Sequence, residues 1–130
     1  MIDKVAWIEI ENGKILVART KGKSAFYIPG GKREVNETDA ETLIREIKEE
    51  LSVEISLESL VYYGRFSAQA HGHPTGFMVE MSCYTANYRG KILADNEIEE
   101  VAWFGFADKE KVSFVDRIIF DELKNKQLLK

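Results

Sequence analysis

Gly30-Gly31-Lys32-Arg33-Glu34-Val35-Asn36-Glu37 leads through Thr38–Ile44 into Arg45-Glu46-Ile47-Lys48-Glu49-Glu50-Leu51-Ser52-Val53. A Pro-Gly-Gly turn at 29–31 runs into an acidic loop and then into a segment with helical periodicity. Thr38 and Glu41 have the Thr-x-x-Glu spacing of a capping box, which predicts a helix from Asp39 to about Leu51. Ala40, Leu43, Ile44, Ile47 and Leu51 recur at helical spacing and supply one apolar face. Glu46, Glu49 and Glu50 fall together on an adjoining arc. Arg45 is four residues from both Glu41 and Glu49, so ion pairs on the outer side are expected.

Upstream, Val5–Ile10 and Ile15–Ala18 read as strands, joined through Glu11-Asn12-Gly13-Lys14. Asn-Gly is a strong hairpin signal. Ala25–Ile28 reads as a short strand ended by Pro29 and the glycines. Downstream, Val61–Ala68, Gly76–Tyr88 and Glu100–Phe104 are β-rich, with a loop at His71-Gly72-His73-Pro74 and a turn at Tyr88–Lys91. Ser113-x-x-Asp116 reads as a second capping box opening a C-terminal helix whose apolar face is Ile118, Ile119, Leu123 and Leu128. Strands, helix, strands, helix predict an α/β fold: a mixed sheet with helices on both faces.

Three carboxylates at i, i+3 and i+4 are neighbours on a helix surface and repel one another. A magnesium-sized ion relieves that repulsion, because it takes octahedral oxygen ligands and keeps several waters. Glycine beside such a cluster lets backbone approach a cation or a diphosphate closely. The competing reading is a solvated acidic helix face. The register of the whole stretch argues against it.

That register closely resembles the signature of the Nudix hydrolases, G-x5-E-x7-R-E-U-x-E-E-x-G-U with U aliphatic. Gly31, Glu37, Arg45, Glu46, Ile47, Glu49, Glu50 and Val53 all fall on it. Ser52 stands where the family has glycine. A residue there must adopt a left-handed conformation to end the helix in the family's way, and serine does so at a cost of about 1 kcal/mol. No ligand is removed. The resemblance implies an α/β/α sandwich over residues 1–130 as a single domain. It also implies a metal-dependent pyrophosphohydrolase using Mg2+, with Mn2+ as substitute. Glu49 and Glu50 would be the principal metal ligands and the Gly30 carbonyl would complete the inner shell. Glu46 is a ligand or the base that activates water. Glu37 and Arg45 form a supporting pair fixing the loop against the helix. Members often draw one more carboxylate from a loop before the last strand. Glu97 is the first choice and Glu100 the second.

The expected substrate is a nucleoside diphosphate linked to another group, with a nucleoside triphosphate such as an oxidised purine nucleotide first. ADP-ribose, a nucleotide sugar or a dinucleoside polyphosphate are alternatives, since the signature handles only the shared diphosphate. A non-catalytic sensing or protein-binding module of the same fold is a further alternative, but its usual marks are eroded carboxylates or a fused DNA-binding domain. Trp7, Phe26, Tyr27 and Phe77 are candidates to stack on a base, with core packing as the competing role for each. In nucleotide-pool-cleansing relatives a polar residue near Asp116 reads the purine edge; helix capping competes for Asp116. His71 and His73 could contact phosphate from a mobile loop, and Arg19, Lys21 and Lys23 could meet phosphate oxygens.

The bulk numbers agree. The chain has 130 residues, 45% hydrophobic and 31% charged, with net charge −4. No basic stripe marks a nucleic-acid polymer as partner. An acidic protein can still hold a nucleotide through a bridging cation. No apolar run reaches membrane-spanning length, so no membrane partner is expected. One cysteine, Cys83, and an N-terminus without an export pattern lead to the expectation of a cytoplasmic protein. Many family members are homodimers; no residue pattern here marks an interface.

Overall fold

The computed structural model describes all residues, 1–130. Its strands are β1 (Ile2–Trp7), β2 (Ile10–Glu11), β3 (Lys14–Thr20), β4 (Gly30–Lys32), β5 (Glu54–Ile55), β6 (Val61–Gln69), β7 (Met78–Thr85), β8 (Tyr88–Arg89) and β9 (Ile98–Phe104). The helices are α1 (Asp39–Leu51) and α2 (Phe114–Asn125), with single 3-10 segments at Leu57–Ser59 and Phe106–Lys111. A mixed sheet runs β4-β1-β7-β6, with β1 and β7 parallel. A second, antiparallel sheet runs β2-β3-β9, and β5 pairs with β8.

Strand alternation divides the core. Val5 and Trp7 of β1 and Leu16 of β3 point to the α1 side, where they meet Leu43, Ile47 and Leu51. Ala6, Ile15 and Val17 point to the other side and meet Val115, Ile119, Phe120 and Leu123 of α2. The result is a sheet layer between two helices, the expected α/β/α arrangement. Each fully buried aliphatic side chain of α1 is worth about 1.5–3 kcal/mol of transfer free energy, so packing dominates the helix's stability. Trp7 is fully buried and donates its indole N–H to the Ala86 carbonyl at 3.3 Å, which makes it a core residue and not a base-stacking one.

Both termini of α1 follow the sequence. Thr38 accepts from the Glu41 amide at 3.1 Å, and Glu41 accepts from the Thr38 amide at 3.0 Å. Ser52 adopts φ 66° and ψ 18°, the left-handed cap that glycine would provide. The Asn12-Gly13 turn joins β2 and β3, with φ 54° and 77° as a type I′ hairpin requires.

Several expectations are corrected. Ala25–Ile28 is not a strand: Tyr27 bridges Ala18 and Phe26 bridges Val112, two different partners that no continuous ladder can serve. The glycine turn instead forms β4, antiparallel to β1. Ser113 makes no capping bond to the backbone; its hydroxyl donates to Asp116 at 2.5 Å, because Asp116 points into the protein. Ile118 and Leu128 are largely exposed, and Val115 and Phe120 take their places in the core. Arg45 does not pair with Glu41, whose carboxylate is committed to the Thr38 amide.

Candidate active site

The loop between β4 and α1 is tied down by two arginines. Arg45 grips Glu37 twice, Nε to Oε2 at 2.7 Å and Nη2 to Oε1 at 2.8 Å. Glu37 also accepts from the Thr42 hydroxyl and the Glu34 amide. Those donors, Arg45 first, hold its carboxyl down at about 2. Arg33 binds Asp39 at 2.6 Å and Asp3 at 3.0 Å, and the Tyr84 hydroxyl donates to Asp39 at 2.6 Å. Sequence reasoning missed this second clamp, since nothing in Arg33 alone points to Asp3 or Tyr84.

The three helix glutamates are not equivalent. Glu50 is buried, and its Oε1 has no hydrogen-bond partner. Burial first, then the neighbouring carboxyl of Glu46 and the charge of Glu97, push its pKa up to about 9, while the Gly30 amide pulls it down. Glu46 is mostly buried and accepts from Arg45 Nη1 at 2.9 Å. Its carboxyl occupies the space beside Gly31 where a Cβ would lie 2.4 Å from Glu46 Cδ. Gly30 has φ 152°, and a Cβ there would meet the Val5 carbonyl at 1.9 Å. The turn therefore needs both glycines, one for the backbone and one for the carboxylate. Glu49 is half-exposed and lies 3.6 Å from Arg45. Glu97 is exposed, and its charge reaches both Glu50 and Tyr27. Glu100 is turned away into an ion pair with Arg19 at 3.2 Å.

No three acidic or histidine side chains converge on one point in this arrangement. The donor set nevertheless fits a hard cation. It consists of oxygens only, and one of them is a buried carboxylate oxygen left without a partner.

Beside this cluster lies a cleft of about 510 Å3. Among its lining residues are Lys4, Phe26, Tyr27, Gly30, His71 and Asp116. Of the expected metal ligands only Gly30 is part of its wall; the glutamates stand outside it. Asp116 is fully buried, and its Oδ1 has no partner. Burial pushes its pKa up to about 7, against the opposing pull of the Ser113 hydroxyl and Lys4. Lys4 was not anticipated; it lies in β1 on the α2 side, and a single lysine in a strand carries no signal. Tyr27 donates to or accepts from Thr20 at 2.8 Å, and burial followed by the charge of Glu50 raises its phenol pKa. Phe26 packs on Phe104. His71 lies against Phe114 and His73 against Phe77.

A family model described as NUDIX domain matches residues 3–123. The chain belongs to the Nudix family. It is a hydrolase that acts on acid anhydrides of phosphorus. An ADP-ribose pyrophosphatase of Methanocaldococcus jannaschii is 30% identical over 120 residues, covering 90% of this chain and 69% of that protein. The solution structure of the E. coli ORF135 protein superposes with TM-score 0.74 at 23% identity, covering 95% of this chain and 91% of that one. The MutT protein from Methanosarcina mazei Go1 gives TM-score 0.74 at 19% identity over 97% and 94% of the two chains. The last two likenesses establish the Nudix fold. No helix is long and apolar enough to cross a membrane.

Proposed function

We propose that the protein is a divalent-metal-dependent pyrophosphohydrolase cleaving a nucleoside diphosphate linked to another group. The observation that carries this reading is the buried, unpartnered Oε1 of Glu50 between Glu46 and the Gly30 turn, next to a cleft lined by Phe26, Tyr27 and Asp116. A carboxylate in that position needs a proton or a cation.

Glu49 and Glu50 with the Gly30 carbonyl are the residues that would hold Mg2+, or Mn2+ in its place, with Glu97 as a further donor. When bound, the cation neutralises phosphate oxygens and lowers the pKa of coordinated water. Glu46 is a ligand or the base that takes the proton from the attacking water. Arg45 holds Glu46 in place and, through Glu37, keeps the loop closed on the helix. Phe26 and Tyr27 offer aromatic surface to the nucleoside, with Asp116 buried in the wall of the same cleft.

The sequence alone favoured a nucleoside triphosphate. We rank ADP-ribose ahead of it, a choice supported by the 30% identity to an ADP-ribose pyrophosphatase. The test is a panel of ADP-ribose, nucleotide sugars, dinucleoside polyphosphates and canonical and oxidised nucleoside triphosphates with Mg2+, products resolved by chromatography. Cleavage to a nucleoside monophosphate, abolished by EDTA, is expected. Folded protein that binds these compounds and cleaves none would reverse the reading in favour of a sensing module.

A further inference from the structure

The last carbonyls of α1 are not left to solvent. Asn96 Nδ2 donates to the Glu49 carbonyl at 2.9 Å, the Asp95 amide to the Glu50 carbonyl at 3.0 Å, and the Leu93 amide to the Leu51 carbonyl at 3.0 Å. A helix C-terminus needs such donors, and here a loop 40 or more residues away supplies them. Asn96 is itself in the left-handed region, φ 50°, and its amide donates to the Asp95 side chain at 2.7 Å. That conformation suits asparagine. The next residue, Glu97, is anchored from the other side, where its carbonyl accepts the Lys21 amide at 2.8 Å. One side chain thus bonds the backbone of Glu49 and adjoins Glu97 in the chain.

We propose that Asn96 is a positioning residue for the metal site, fixing the Glu97 loop to the Glu49–Glu50 end of α1. The inference rests on the metal-dependent reading above and adds to it a residue outside the Nudix signature. Of the three loop donors, two are backbone amides available from any residue and the third is the Asn96 side chain; the Ser52 hydroxyl adds a side-chain bond in the other direction, to the Leu93 carbonyl at 3.3 Å. The Asn96 side chain ties the loop that carries Glu97 to the helix turn that carries Glu49 and Glu50.

The test measures Mn2+ binding to the full chain by electron paramagnetic resonance, without nucleotide. Asn96→Gly keeps the positive φ accessible and deletes the amide donor, so the fold is retained. Partners behind metal ligands are worth about 10–100-fold in metal affinity. Asn96→Gly is therefore expected to weaken Mn2+ binding about tenfold, with a melting temperature in EDTA within about 3 °C of wild type. Glu97→Gln is expected to weaken it similarly, and the double variant no further than Glu97→Gln alone, because Asn96 acts through Glu97. Unchanged Mn2+ affinity in Asn96→Gly overturns the proposal while leaving the metal reading intact. Additive losses in the double variant overturn the route through Glu97. Failure of the wild-type protein to bind Mn2+ overturns the metal reading itself.

Discussion

Arg45 and Glu37 meet through two parallel hydrogen bonds, 2.7 and 2.8 Å long, across the mouth of the loop that leads into α1. The same guanidinium reaches Glu46 and the Lys32 carbonyl. A planar fork can serve all of these at once; an ammonium cannot.

Arg45→Lys is accordingly expected to behave as a severe change despite keeping the charge. Turnover should fall by about tenfold or more, and the melting temperature should drop, because Glu37 loses its paired donor. Steady-state kinetics and thermal denaturation of the variant check both. Turnover within twofold of wild type would show that the fork geometry is irrelevant.

The two glycines of the turn predict opposite phenotypes. A Cβ on Gly30 runs into the backbone carbonyl of Val5 at 1.9 Å, at a φ that L residues avoid. Gly30→Ala should cost about 3 kcal/mol or more and impair folding. A Cβ on Gly31 meets only the end of the Glu46 side chain, which can swing away. Gly31→Ala should keep a near-native urea midpoint while cutting turnover. The pair is compared by urea denaturation and kcat.

Asp116 gives a pH signature. Its pKa stands at about 7 in the folded protein, against an ordinary 3.8, chiefly because it is buried. The folded state holds that proton more tightly than the unfolded one. Its contribution to stability is full below about pH 4 and is lost as pH rises through about 7. Asp116→Asn, which can still accept the Ser113 hydroxyl, removes that loss. Between pH 4.5 and 7.5 the wild-type protein should lose at least about 1 kcal/mol more than the variant in urea titrations. Parallel pH profiles would mean that Asp116 stays ionised.

The sequence was most informative where local rules and packing agree. The capping box and the period of Leu43, Ile47 and Leu51 set both ends of α1, and Asn12-Gly13 set its hairpin. It misled where one pattern serves two purposes. Ser113-x-x-Asp116 has capping-box spacing, yet the carboxyl turns inward because the cleft wall and Lys4 lie there. The Phe26-Tyr27 segment has strand composition but bridges two separate partners. Gly30–Lys32 is a strand despite its glycines, since β1 provides the ladder. Glu97 could be chosen only by resemblance. Glu100 pairs with Arg19, a contact between β3 and β9 that no local pattern records.

The central claim is that the α1 glutamates bind a catalytic cation, and Glu49 tests it most directly. Its side chain is half-exposed, with no hydrogen bond and only a 3.6 Å approach to Arg45, so an ordinary surface glutamate there could be replaced without effect. The measurement is kcat of Glu49→Gln with Mg2+ on the best substrate of the panel, beside its melting temperature in EDTA. A fall of at least about a hundredfold with an unchanged melting temperature is predicted. Turnover close to wild type would contradict the account.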